Sequence, residues 1–385
     1  MTAFSAGVAD PEWLPDGSGI VFSADVYPEC GADTGCNRRT EESWTGGPIA
    51  AHMADALLYR HWTSWRDGKR THLLRFDRKA GTYTDLTPGD VDSPPFSLGG
   101  AGFAVSPKGD EICFVSQRDS MDARTTNKDL WTVSPAGGEP LNLTEENKAY
   151  DGDPAYSPDG RYIAYRTQRI PGYESDRFRL ALYDRAAQGK AIITEGFDNW
   201  VNAIAWGPDG KQLYFTADVS GRVPLYRIET ATGKIARIFE SGMIDAFTVS
   251  PDGRSVALVR RSVGEPREIW SVSTADGSAR QLTFLNREIA READIRPAVE
   301  MWIPSPTGRR IQTFLVTPHG FDSKKRYPLI INVHGGPQMQ WADAFRGDWQ
   351  MYPGAGYIVA FPNPTGSTGQ GQAFTKGISK DWGGK

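Results

Sequence analysis

Five copies of one tetrapeptide constrain this chain more than any other feature. They are Leu14-Pro-Asp-Gly17, Ser106-Pro-Lys-Gly109, Ser157-Pro-Asp-Gly160, Gly207-Pro-Asp-Gly210 and Ser250-Pro-Asp-Gly253. Proline presets φ at the second position of a type I turn, and glycine tolerates the exit conformation at the fourth, so each copy is a sharp reversal. A β-rich run follows every time: Ile20–Ser23, Glu111–Val115, Tyr162–Tyr165, Leu213–Thr216 and Ser255–Val259. Further runs come at Leu130–Val133, Leu180–Tyr183, Leu225–Ile228 and Ile269–Val272, and a later strand mostly ends in Leu-Thr or Ile-Thr, at Leu86-Thr87, Leu143-Thr144, Ile193-Thr194 and Leu282-Thr283. The prolines stand at 15, 107, 158, 208 and 251, giving spacings of 92, 51, 50 and 43 residues. Repeats of that length with about four strands predict propeller blades, since one small sheet cannot bury both faces and must stack on neighbours. The long gap reads as one blade with an insertion rather than as a degenerate extra blade. Residues 13–26 and 71–87 supply its strands, and a polar, tryptophan-containing excursion from Pro28 to Arg70 includes a predicted helix over Ile49–Leu58.

The pattern changes after Leu285. Residues 286–300 read as a charged linker, and Met301–Ile303 with Ile311–Val316 predict a hairpin around Ser305-Pro-Thr-Gly308. Tyr327–Val333 is a continuous apolar run, which predicts a strand buried on both faces of a sheet flanked by helices. The expected organisation is an all-β propeller of about five visible blades over 1–285, a linker over 286–300, and the opening of an α/β domain over 301–385.

Composition excludes several functions. The 43 basic and 47 acidic side chains leave a net charge of -4 with no basic stripe, so nucleic acid is not an expected partner. No apolar run approaches the ~20 residues a bilayer needs, and Met1-Thr-Ala-Phe-Ser5 lacks a basic segment followed by an apolar core, so neither membrane insertion nor an export signal is expected. Three cysteines cannot form a metal cage alone. Cys30 and Cys36 flank a short turn-rich segment that a disulfide could close, whereas Cys113 reads as a buried strand residue. No metal or other cofactor is expected.

The chemistry is concentrated after the apolar run, in His334-Gly-Gly-Pro337. Glycines at the carboxyl end of a central strand let a backbone N–H point at a developing negative charge, as an oxyanion hole requires. A second apolar strand, Tyr357–Phe361, leads into Asn363-Pro-Thr-Gly-Ser-Thr-Gly-Gln-Gly371. That loop superficially invites a phosphate-binding reading but lacks the Gly-Lys-Ser/Thr ending.

A propeller pattern followed by His334-Gly-Gly-Pro337, the Gly366–Gly371 loop and Asp381-Trp-Gly-Gly384 resembles the prolyl oligopeptidase family of serine peptidases, within it the dipeptidyl peptidase V and acylaminoacyl peptidase branch. Leu58–Trp62, Asp67–Leu73 and Arg169–Arg177 resemble propeller segments of that branch, so the resemblance covers essentially the whole chain. It implies a propeller of seven or eight blades capping an α/β-hydrolase domain and limiting substrates to oligopeptides, which a Ser-Asp-His triad cleaves through an acyl-enzyme. It also implies that the Gly336 N–H is an oxyanion donor, with Gly335 and Pro337 shaping the turn and His334 supporting the loop by hydrogen bonding. The parent could be homo-oligomeric, and periplasmic, secreted or cytoplasmic.

The departures are equally informative. No Gly-x-Ser-x-Gly elbow occurs in the 385 residues, and His52, His61, His72, His319 and His334 all precede the place where the nucleophile would fall, so none fits the order Ser, Asp, His. The expectation is a fragment whose triad lies in a C-terminal segment beyond it, inactive by itself. Binding a free substrate ammonium calls for paired carboxylates, for which Glu41 with Glu42, or Glu174 with Asp176, are candidates; each pair could equally be a solvated charged loop. Trp62 and Trp65 could line a hydrophobic subsite or merely anchor the insertion. A reading from another class is a catalytically empty propeller resembling that of the TolB translocation protein, which binds proteins or peptides.

Overall fold

The computed structural model describes residues 4–48, 51–55, 57–96, 102–118, 122–336 and 338–381. The chain divides into two compact units, Met1–Glu174 with Leu180–Ile192, and Ser175–Arg179 with Ile193–Lys385.

The first unit opens with β1 (Ala9–Trp13) and β2 (Gly19–Val26), followed by helix α1 (Thr34–Thr45) and a two-stranded ribbon of β3 (Arg60–His61) and β4 (Ser64–Trp65). Then β5 (Arg70–Asp77) and β6 (Thr82–Asp85) complete the sheet β1-β2-β5-β6. Gly19 to Val26 pair residue for residue with Asp77 to Arg70, so the excursion leaves and re-enters a single sheet. The second sheet is β7 (Phe103–Val105), β8 (Ile112–Ser116), β9 (Asp129–Val133) and β10 (Leu141–Asn142); the third is β11 (Asp151–Tyr156), β12 (Tyr162–Thr167), β13 (Arg179–Asp184) and β14 (Gly189–Ile192). Leu14, Val21, Leu73, Phe103, Phe114 and Val133 form one core joining the first two sheets, and Cys113, Leu130, Ile163 and Ala181 belong to another joining the second and third.

In the second unit, β15 (Val201–Trp206), β16 (Gln212–Ala217), β17 (Leu225–Glu229) and β18 (Ile235–Phe239) form one sheet, and β19 (Met243–Val249), β20 (Ser255–Ser262), β21 (Glu265–Ser273) and β22 (Ala279–Gln281) the next. Their shared core contains Tyr214, Leu225, Ile244 and Leu258. All five sheets are antiparallel meanders in chain order, the strand count and order of a propeller blade.

The repeated tetrapeptide joins the first and second strands of every sheet. In each copy the glycine N–H donates to the carbonyl of the first residue, as in Gly160 to Ser157 at 2.8 Å, and the five glycines have φ between +69° and +73°. Where serine leads, its hydroxyl donates to a nearby aspartate and accepts the amide that opens the next strand: Ser157 Oγ reaches Asp159 Oδ1 at 2.5 Å, and the Tyr162 N–H reaches Ser157 Oγ at 2.9 Å. The recurrent Leu-Thr ending is a latch. The threonine hydroxyl accepts the N–H of a residue on the third strand, Thr87 from Leu73, Thr144 from Leu130 and Thr283 from Ile269, at 2.8–3.0 Å. The first strand of each sheet, with its mixed polar and apolar residues, has no comparable mark in the sequence.

Helix α2 (Arg287–Glu292) then leads to the mixed sheet of β23 (Val299–Pro304), β24 (Arg310–Val316), β25 (Leu329–Ile331) and β26 (Ile358–Asn363), with helices α3 (Asp348–Gly354) and α4 (Gln372–Thr375) around it. The order is β23-β24-β26-β25; β25 and β26 are parallel, and the other pairs are antiparallel. One face carries Phe314, Val316, Val359 and Phe361 beneath Trp349, which stacks on Phe361 at 3.6 Å. On the other face Val299, Met301, Ile303, Leu329 and Ile331 are all exposed.

Two expectations need correction. The Tyr327–Val333 run is not a strand buried on both faces: β25 covers only Leu329–Ile331, lies at the sheet edge, and leaves Leu329 and Ile331 more than half exposed. The insertion helix is Thr34–Thr45 rather than Ile49–Leu58, whose described residues are non-helical. Asp33 provides the decisive signal, an N-cap carboxylate that accepts the Cys36 N–H at 2.9 Å. Cys30 and Cys36 are disulfide-bonded at the start of this helix, and Cys113 is fully buried. Among the described residues, no helix is long and apolar enough to cross a membrane.

Candidate active site

The parallel strand β25 delivers Asn332 and His334 to a loop braced against the segment that follows β26. The Asn332 N–H donates to the Ala360 carbonyl at 2.8 Å, and Trp341 Nε1 donates to the Asn332 carbonyl at 3.0 Å. His334 is buried, while Gly335 and Gly336 beside it are exposed. Gly336 has φ +125°, and a Cβ there would meet the Gln338 nitrogen at 3.0 Å, so both conformation and space favour glycine at this exposed turn. Pro337 lies outside the described residues.

Burial lowers the His334 pKa, which favours the neutral ring, against the opposing effect of its bond to the Gly335 carbonyl. Nδ1 lies 3.0 Å from the Gly335 carbonyl, and Nε2 lies 2.9 Å from the Ser367 hydroxyl oxygen, whose own proton goes to the Pro364 carbonyl at 2.8 Å. His334 is thereby a brace between two loops. Ser367 was the unrecognised partner: its loop is visible in the sequence, but no local pattern marks which hydroxyl meets the histidine.

A layer of buried amides supports the pair. The Asn363 side chain accepts the Trp341 N–H at 2.7 Å and donates to Gln312 Oε1 at 3.0 Å and to the Trp341 carbonyl at 2.9 Å. Gln340 accepts the Gly221 N–H at 2.9 Å and donates to the Arg222 carbonyl, and Thr368 Oγ1 donates to Asp218 at 2.6 Å. The bend between β16 and β17 is therefore tied directly to the loops around His334, all inside the second unit.

The carboxylate candidates do not converge as pairs. Glu41 is bonded to Lys69 at 2.5 Å, and Glu42, the next residue on α1, points elsewhere with its side chain exposed. Asp176 is buried against Arg179 at 3.1 Å, while Glu174 is exposed. Trp62 and Trp65 join two aromatic groups that the sequence did not announce. His52 stacks on Trp65 at 4.0 Å, Tyr59 stacks on it at 5.6 Å, and Phe96 meets Trp62 edge-on. Trp62 remains 70 % exposed. Among the described residues, no group of three or more His, Cys, Asp or Glu side chains is placed to hold a metal ion.

The profile of the prolyl oligopeptidase family matches residues 330–385, the segment that holds this loop. Dipeptidyl-peptidase 5 of Porphyromonas gingivalis is 29% identical over 388 residues, covering 98% of this chain and 55% of that protein. Over residues 330–385 the chain is similar to the prolyl oligopeptidase family. The similarity is to the branch of dipeptidyl-peptidase 5 and acylaminoacyl peptidase. Dipeptidyl-peptidase 5 of Schizosaccharomyces pombe is 28% identical, covering 90% of this chain and 52% of that protein. Among solved structures, Pyrococcus horikoshii acylaminoacyl peptidase superposes with a TM-score of 0.74 at 19% identity, over 96% of this chain and 53% of that one. A puromycin-hydrolysing peptidase of Mycobacterium tuberculosis gives 0.62 at 16%, over 100% and 55%. The chain thus spans about half the length of the curated prolyl oligopeptidase relatives it matches.

Proposed function

We propose that this chain is the propeller and oxyanion-loop portion of a serine peptidase that cleaves short peptides, of dipeptidyl or acylaminoacyl type, through an acyl-enzyme. The observation that carries the reading is the exposed Gly335-Gly336 turn, held at the end of a parallel strand by a buried His334 locked to Ser367. An attacking serine generates a tetrahedral oxyanion, and a preset backbone N–H such as that of Gly336 stabilises it without reorganising; losing one such donor typically costs ~3–4 kcal/mol in the transition state. Residues 1–285 act as the propeller portion that restricts access to oligopeptides, and 301–385 as the first part of the hydrolase domain after a linker at 286–300. Glu42 and Glu174, the exposed members of the two carboxylate pairs, are the ones left for a substrate ammonium, and Trp62 with Trp65 supply an apolar wall.

The nucleophile, acid and base of the triad come from outside residues 1–385. The isolated chain should therefore neither hydrolyse dipeptidyl or acylaminoacyl p-nitroanilides nor react with a fluorophosphonate probe. Covalent labelling of this chain by the probe, read by intact-mass spectrometry, would overturn the assignment.

A further inference from the structure

The turn between β23 and β24 and the helix α4 enclose a shallow pocket of about 430 Å³ in the second unit, lined by Trp302, Arg309, Arg310, Gln370, Ala373 and Phe374. The Arg309 guanidinium lies 5.6 Å from the centre of the Phe374 ring, and that of Arg310 lies 5.6 Å from the centre of the Trp302 ring. A guanidinium laid on an aromatic face keeps its N–H edge free for a second partner. Among the described residues neither arginine pairs with a carboxylate; Arg309 makes only a long bond, 3.5 Å, to the Phe374 carbonyl. The Gln370 side-chain nitrogen is buried and, among the described residues, has no acceptor. Two guanidinium groups without a carboxylate and one amide nitrogen without an acceptor thus meet at one apolar-walled pocket among the described residues.

A carboxylate offers about four lone-pair sites in one plane, which suit two guanidinium edges and an amide, while the two ring faces and Ala373 suit an apolar body. We propose that this pocket binds the carboxylate of a small ligand with an apolar body. Binding needs no part of the peptidase reading and can be tested on the chain alone.

The probe is hippurate, titrated calorimetrically into the intact chain, with its uncharged amide and inorganic phosphate as comparisons. Hippurate should saturate one site, the amide should bind about tenfold or more weakly, and phosphate should not displace hippurate. Arg310→Gln, on an exposed residue, should weaken hippurate about tenfold without moving the melting temperature, and Arg310→Lys should recover only part of that loss because a lysine lacks the planar fork. Arg309→Gln should act in the same direction, and if it unfolds the chain the Arg310 pair of variants decides. Equal binding of the amide, displacement by phosphate, or unchanged hippurate affinity in Arg310→Gln would each overturn the proposal.

Discussion

The five meander sheets and the mixed sheet answer the same physical problem in different ways. A meander sheet is closed by signals a few residues long: the tetrapeptide turn starts its second strand, and the threonine latch fastens its fourth to its third. Its inner strands are then buried on both sides, as β8 is throughout. In the mixed sheet, the loops after β25 and β26 are fixed by side chains far away in sequence, such as Gln340 to Gly221 and Thr368 to Asp218. One of its faces is packed under Trp349, and the other exposes five large apolar residues. A repeated local code can specify a sheet that stacks on copies of itself, whereas a sheet carrying a reactive loop depends on contacts no short motif encodes.

The sharpest way to break the contrast is to empty the mixed sheet's one packed face. Trp349→Ala should cost about 3–5 kcal/mol in urea unfolding, because the indole is fully buried and stacked on Phe361. A loss below about 1 kcal/mol would mean this sheet does not depend on that packing. In the meander sheets, Asp151 is a buried carboxyl that responds to pH. Burial, opposed by hydrogen bonds from Thr167 and Asn147, raises its pKa from 3.8 to about 7. The folded state then holds a proton that the unfolded state has released, so stability falls as pH rises from about 4 to about 7 and levels off above. Asp151→Asn should flatten that slope in thermal melts across the window, and an unchanged slope would assign it to other groups.

Thr144→Val tests the latch itself. It keeps the shape but strands the buried Leu130 N–H, for an expected loss of about 1–3 kcal/mol that Thr144→Ser largely restores. The smallest effect belongs to the uncovered face. Ile331→Lys should shift stability by less than about 0.5 kcal/mol, since that side chain is 60% exposed, yet reduce concentration-dependent association in sedimentation velocity. A large stability loss would show that this face is covered after all.

Much of the architecture was legible because the repeat signals are local. Proline and glycine in Ser157-Pro-Asp-Gly160 predict the turn by their own backbone restrictions, and the recurrent Leu-Thr marks a strand end, though not the latch its hydroxyl makes. The His334-Gly-Gly motif was equally readable, since a glycine at φ +125° is a backbone requirement. Periodicity misled where burial depends on neighbours: Leu329-Ile-Ile331 is apolar enough for a central strand, yet it forms an edge. The carboxylate pairs failed for a related reason, because sequence adjacency of Glu41 and Glu42 cannot reveal that Lys69 takes one of them.

By itself the sequence determined the repeat, its turns and the glycine loop, all consequences of what single residues permit their own backbone to do. The tertiary structure alone decided that His334 is a buried brace held to Ser367, that Asp176 belongs to Arg179, and that two arginines face one pocket where, among the described residues, no carboxylate meets them. Those outcomes depend on which side chains meet across long stretches of chain, where desolvation and hydrogen-bond pairing, rather than local conformational preference, set the result.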